Sequence, residues 1–128
     1  MPVRYVIYKK HRLVLTVGEG YVTADEIKTH QDQLLADPAF DPSFSQLIDV
    51  TTTLTLALSP QETKEIAHRR IVGPNSKRAF VASSIHVFVM GRLMELYHEE
   101  HHEVDVHIFE HRDEALQWLG VPEDSGLY

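Results

Sequence analysis

The chain of 128 residues carries 12 Lys and Arg against 19 Asp and Glu, a formal net charge of −7, which speaks against general nucleic-acid binding because that needs a basic footprint. It has no cysteine, so disulfides and thiolate metal sites are excluded. Its 43% hydrophobic content suits one domain with a core that needs no staples.

Val3, Tyr5 and Ile7 alternate with Arg4, Val6 and Tyr8. Leu13, Leu15 and Val17 alternate again beyond the charged run Lys9-Lys10-His11-Arg12, and the two stretches read as a β-hairpin. Gly18 and Gly20 mark a bend or bulge at its end. Thr23-Ala24-Asp25-Glu26 is a capping box that opens a helix bearing Ile27, His30, Gln31, Leu34 and Leu35 at helical spacing. Pro38 stops that helix, and a turn-rich segment leads to Leu47-Ile48-Asp49-Val50, an apolar run typical of a buried strand. Thr51-Thr52-Thr53 is expected to begin an irregular stretch. Ser59-Pro60-Gln61-Glu62 starts a second helix, which runs to about Val72 before Gly73-Pro74. Ala79 to Ala82 form another buried strand, and Ser83 or Ser84 caps a third helix continuing to about His101. Val104, Val106 and Ile108 alternate on a last strand, and residues Asp113 to Leu119 form a short helix closed by Gly120. The expected domain is 1–121, with a loose tail at 122–128.

The order ββα-βα-βα-βα implies an α/β domain with a mixed, mostly parallel five-stranded sheet and four helices. The opening hairpin supplies one antiparallel edge. The start of the chain has no apolar signal core, and no apolar run reaches the ~18 residues of a membrane span. No transmembrane segment and a cytoplasmic location are therefore expected. The clusters Lys9 to Arg12, and Arg69-Arg70 with Lys77-Arg78, read as solvated turns.

Several residues are candidates for chemistry. His98-Glu99-Glu100-His101-His102 satisfies H-E-x-x-H, in which two His one turn apart hold zinc and the Glu activates water. On a helical wheel, His98 and His102 fall with Gly91, Glu95 and Glu99, opposite an apolar side of Ile85, Val89, Met90, Leu93, Met94, Leu96 and Tyr97. The pair is expected to face solvent, which leaves a zinc hydrolase as a remote reading and no metal or cofactor as the main one. His30 and His86 fall on the apolar sides of their helices, either as satisfied core histidines or as polar contacts for a ligand in an apolar groove. Asp49 ends a buried strand at its carboxyl end, where open α/β sheets place sites, or else caps the Thr-rich segment. No nucleophile elbow, P-loop or dinucleotide fingerprint is present, so no catalysis is expected.

The apolar stripe of the third helix spans about 200° at 100° per residue, more than covering a sheet requires. Phe88 lies outside even that arc. His86, Val87, Phe88, Met90 and Gly91, with Asp49, are thus the candidates to line an interface or a ligand pocket, a homodimer contact first among them.

The Tyr21-Val22-Thr23-Ala24-Asp25-Glu26 helix entry, Leu47-Ile48-Asp49, Ser59-Pro60-Gln61-Glu62, Arg78-Ala79-Phe80-Val81, Val106-His107-Ile108-Phe109 and Ala115-Leu116-Gln117-Trp118-Leu119 occur in this order. Together they resemble the SpoIIAA-like, or STAS/SEC14-type, small bacterial domains, from about Val3 to Gly120. The resemblance implies neighbouring strands in chain order and a non-enzymatic role: regulatory contact with an unidentified protein partner, or alternatively binding of an apolar small molecule or lipid. Anti-sigma-antagonist members of that group carry a phosphorylated Ser in an Asp-Ser-Ser-Gly motif. Here that place reads Leu56-Ala57-Leu58-Ser59-Pro60-Gln61. Only Ser59 could stand in, and helix capping accounts for it.

Overall fold

The computed structural model describes residues 2–69, 76–83, 85, 87–89, 91–92 and 105–128. Five strands, β1 (Val3–Tyr8), β2 (Leu13–Thr23), β3 (Ser45–Ala57), β4 (Lys77–Val81) and β5 (Asp105–Phe109), lie side by side in chain order. β1 runs antiparallel to β2, and β2 to β5 are parallel. The helices are α1 (Ala24–Ala36), α2 (Pro60–His68), α3 with described residues 85, 87–89 and 91–92, and α4 (Arg112–Trp118). The expected ββα-βα-βα-βα order and mixed sheet are therefore what the chain adopts.

Parallel neighbours joined by right-handed crossovers, all stepping the same way across the sheet, put their helices on one face. Residues of α1, α2 and α3 accordingly meet one face, and α4 covers the other. The central strands are buried on both sides, which is why they read as apolar runs. Leu47, Ala79 and Val81 pack towards α4 with Leu13, Ala115, Leu116 and Val121. Ile48 and Phe80 point the opposite way, with Ala24, Ile66 and Val106. Val14, Leu34 and Phe44 close the core beneath α1.

Both capping boxes are made. The Glu26 amide donates to Thr23 Oγ1 at 3.3 Å and the Thr23 amide donates to Glu26 Oε1 at 3.0 Å. The Glu62 amide donates to Ser59 Oγ at 3.1 Å, answered by the Ser59 amide on Glu62 Oε1 at 3.0 Å. Arg69 caps the end of α2, so the helix stops short of Val72, which lies outside the described residues.

Three expectations are corrected. The Thr-rich stretch is strand: residues 52–57 of β3 pair with the end of β2, with register shifts at Val17/Glu19 and Gly20/Tyr21. β-branched threonines suit that conformation, and Thr52 Oγ1 donates to the Gly18 carbonyl at 3.0 Å. The tail is anchored at its end: five of its seven residues are exposed, but Leu127 packs against the core and Tyr128 Oη donates to the Val121 carbonyl at 2.6 Å. The third correction is the phase of α3. Ile85 and Val89 are 81% and 51% exposed, whereas Val87 and Gly91 are buried. The buried side of the described part is thus the one that includes Gly91. The wheel that turned His98 and His102 to solvent placed them with Gly91, so that reason for dismissing them fails; both lie outside the described residues.

Because Thr23 and Ser59 each satisfy an otherwise orphaned helix amide, Thr23→Ala and Ser59→Ala should each destabilise the fold by about 1 kcal/mol. Urea unfolding should show lower midpoints at unchanged slope. Wild-type midpoints in both variants would contradict the capping assignment.

Candidate binding cavity

Strand alternation sends every second residue of β2 to β5 towards α1, α2 and α3. Two rows result from the register. Thr16, Ile48, Phe80 and Ile108 form one, and Val14, Gln46, Arg78 and Val106 form the other. Above them α1 contributes Ile27, His30 and Gln31, α2 contributes Ile66, and α3 contributes Val87 and Gly91. Leu56 and Leu58, at the end of β3 and just beyond, complete the wall.

These elements do not close on one another. They leave a cavity of about 80 Å³ whose lining is mainly apolar. A single water needs about 10–15 Å³ on this measure, so the space suits a group of roughly five to eight non-hydrogen atoms. Gly91 sets the approach of α3: a Cβ built there would meet Ile108 Cδ1 at 2.1 Å. A side chain at 91 would push Ile108, itself a lining residue, out of its place.

Five lining residues are polar: Thr16, His30, Gln31, Gln46 and Arg78, all buried. Gln46 Nε2 donates to Thr16 Oγ1 at 2.9 Å, and Thr16 Oγ1 lies 3.2 Å from His30 Nε2. The Thr16 hydroxyl, with one proton and two lone pairs, accepts from Gln46 and pairs with His30 Nε2 in either ring tautomer. Burial, with a smaller contribution from the Arg78 charge, pushes the His30 imidazole down to about 4, so it is neutral at pH 7. Tyr5 packs against its ring at 5.3 Å between centroids.

Arg78 is 5% exposed. Burial lowers its guanidinium to about 10, which leaves it charged at neutral pH. No carboxylate among the described residues pairs with it; its ion-pairing peers Arg4, Arg69 and Arg112 all have acidic partners. The Phe80 ring, centred 5.7 Å from Arg78 Cζ, is its aromatic neighbour. Four of the five buried side-chain polar atoms that lack a hydrogen-bond partner among the described residues belong to residues that line this cavity: His30 Nδ1, Gln31 Oε1, Gln46 Oε1 and Arg78 Nε.

The expected site residues divide. Val87 and Gly91 line the cavity, and so does His30. Phe88 is half-buried beneath the Arg92 guanidinium, 5.3 Å from its ring centre. His86, Met90, His98 and His102 lie outside the described residues. Asp49 belongs to the other face of the sheet. It accepts from the Thr51 amide and hydroxyl at 2.9 and 2.6 Å and from Arg112 Nη2 at 2.8 Å. Burial alone would raise its carboxyl, the largest single effect, but Thr51 and Arg112 together hold it below the usual value. It ties β3 to α4 and does not meet the cavity. Ser59 is an exposed helix cap.

Arg78 was expected in a solvated turn, and the structure corrects this by burying it in β4. The signal was present: Arg78 lies two residues before Phe80 on a strand buried on both faces, so one face had to take the charge inside. Gln46, two residues before Ile48, carries the same signal. Among the described residues no group of three or more His, Asp or Glu side chains could hold a metal ion, and no helix is long and apolar enough to cross a membrane.

An uncharacterized protein of the DUF3478 family with a SpoIIAA-like fold, from Shewanella loihica PV-4, superposes on this chain with a TM-score of 0.60, covering 91% of each chain at 17% identity. The fold is SpoIIAA-like. At that identity the likeness concerns the fold alone. No family model and no curated protein matches the sequence. The match bears on the fold and not on the cavity or its lining.

A His30 imidazole held near 4 against 6.5 when unfolded makes the unfolded chain bind more protons between those values. Its contribution to stability is complete above about pH 6.5 and is lost as pH falls towards 4. Urea midpoints across this range should fall less steeply in His30→Gln than in wild type. An NMR titration placing the wild-type imidazole near its ordinary value would contradict the buried neutral state.

Proposed function

We propose that the chain is a non-enzymatic binding domain that takes a small, mainly apolar molecule between the sheet and α1 to α3. The carrying observation is the cavity itself: a space of about 80 Å³, lined chiefly by aliphatic side chains with a few polar groups among them. That combination is typical of ligand sites, where apolar walls supply affinity and sparse polar groups supply orientation. No arrangement of nucleophile, base and electrophilic donors supports a reaction among the described residues. Regulatory contact with a protein, or with a second copy of the chain, is the second reading. It draws on Ile85 and Val89, exposed one turn apart on α3.

Titration of ¹³C-methyl-labelled protein with 1-hexanol and with hexanoate tests the first reading. Methyl shifts at Ile48, Ile66, Val87 and Ile108 are expected with at least one of the two. Leu58→Trp, which enlarges a half-buried wall residue, should abolish them while leaving the fold intact. Shifts confined to surface methyls, or none with either compound, would overturn the proposal. Ile85→Asp tests the second reading: light scattering should show loss of self-association if α3 forms a dimer contact, and a wild-type monomer at high concentration ends that reading for a second copy.

A further inference from the structure

We infer that the ligand of this cavity is a monocarboxylate, with its carboxylate held against Arg78 and its apolar body lying along Ile48, Ile66 and Ile108. The inference rests on the cavity being a ligand site, and adds the charge and orientation of what fills it.

Arg78 is an unbalanced charge among the described residues. A guanidinium withdrawn from water loses most of its hydration and needs an anion and acceptors to compensate. Arg78 is 5% exposed, has an unpartnered Nε, and faces no carboxylate among the described residues. Its cross-strand neighbour on β3 is Gln46, a neutral amide. A domain with 19 acidic residues and a formal charge of −7 could have placed one beside it, yet the described residues around the cavity supply only Thr, His and Gln.

Those neighbours are suited to an anion. In the tautomer in which Thr16 donates to Nε2, His30 presents an unpartnered Nδ1–H. The Gln31 amide makes no hydrogen bond that fixes which way it points, so rotation by a half-turn presents its N–H₂ group instead of its oxygen. Gln46 donates to Thr16 Oγ1 and stands opposite Arg78 on the neighbouring strand, with its own oxygen unpartnered. The site therefore offers two or three N–H donors around a single positive charge. One cation beside a neutral imidazole matches one negative charge. A phosphate monoester, close to a dianion at pH 7, would leave a charge uncompensated, whereas a carboxylate matches the planar guanidinium in charge and shape. Away from this polar group the lining is aliphatic and aromatic, so the remainder of the molecule is apolar.

The test is isothermal titration of the full chain at pH 7 with three compounds of equal length: hexanoate, 1-hexanol and hexylamine. Hexanoate should bind at least tenfold more tightly than 1-hexanol, and hexylamine should not bind. Arg78→Met should bring hexanoate and 1-hexanol to equal affinity, and Arg78→Lys should retain part of the preference. Without ligand, Arg78→Met should be as stable as wild type or more so, because it removes an unpaired buried charge. Equal affinity of hexanoate and 1-hexanol for wild type would overturn the carboxylate assignment while leaving the cavity a ligand site. Failure of both to bind would overturn the cavity reading together with it. A hexanoate preference that survives in Arg78→Met, or a marked loss of stability in that variant, would show that Arg78 serves the fold rather than a ligand.

Discussion

The handedness of the parallel crossovers governs the architecture. β2 to β5 follow one another in the sheet without reversal, so the helices between them belong on the same side. One face is therefore covered by α1, α2 and α3, and the opposite face receives α4 and the packed C-terminal residues. The two faces are filled differently. On the α4 side, Leu116, Val121 and Leu127 settle into Leu13, Leu47, Ala79 and Val81. On the three-helix side, elements that meet the sheet at different places must share one floor, and the cavity lies where they converge.

Small and polar residues at that convergence keep it open. Gly91 brings α3 close to β5 and contributes no volume of its own. Thr16, Gln46 and Arg78 occupy inward positions on three successive strands where aliphatic side chains would have made a dry core. Such a substitution pattern is unfavourable for stability taken alone, since buried polar atoms without partners cost about 1–3 kcal/mol each. Proteins concentrate such violations of local packing rules at functional sites. Asp49 shows the contrasting case. It too is a buried charge, but Thr51 and Arg112 satisfy it completely enough to hold its carboxyl ionised, and it acts as a strut between β3 and α4.

The fold was legible because its signals are local and repeated. The two capping boxes, the alternation in β1 and β2, and the apolar runs of β3 and β4 each specify an element, and their order specifies the sheet. The extension of β3 through Thr51-Thr52-Thr53 was missed because threonine is ordinary in loops. Its strand conformation depends on β2 continuing alongside, which is a tertiary fact. The site was legible only in part. Val87, Gly91 and His30 could be singled out from helix faces, but the phase of α3 was misjudged because Ile85 and Val89 look like core residues and are exposed. Arg78 was hidden for a different reason. A Lys-Arg pair that follows Gly-Pro after two intervening residues resembles a solvated loop, and the spacing of Arg78 two residues before Phe80 counts as a signal only once the strand is seen to begin at Lys77.

The measurement that bears most directly on the account is a crystal structure of the protein grown with 5-bromopentanoate, with data collected at the bromine edge. An anomalous peak is expected inside the cavity, among Ile48, Ile66 and Ile108, with the carboxylate within hydrogen-bond distance of the Arg78 guanidinium. Bromine found only at the surface, or a cavity filled by the protein's own side chains, would contradict it.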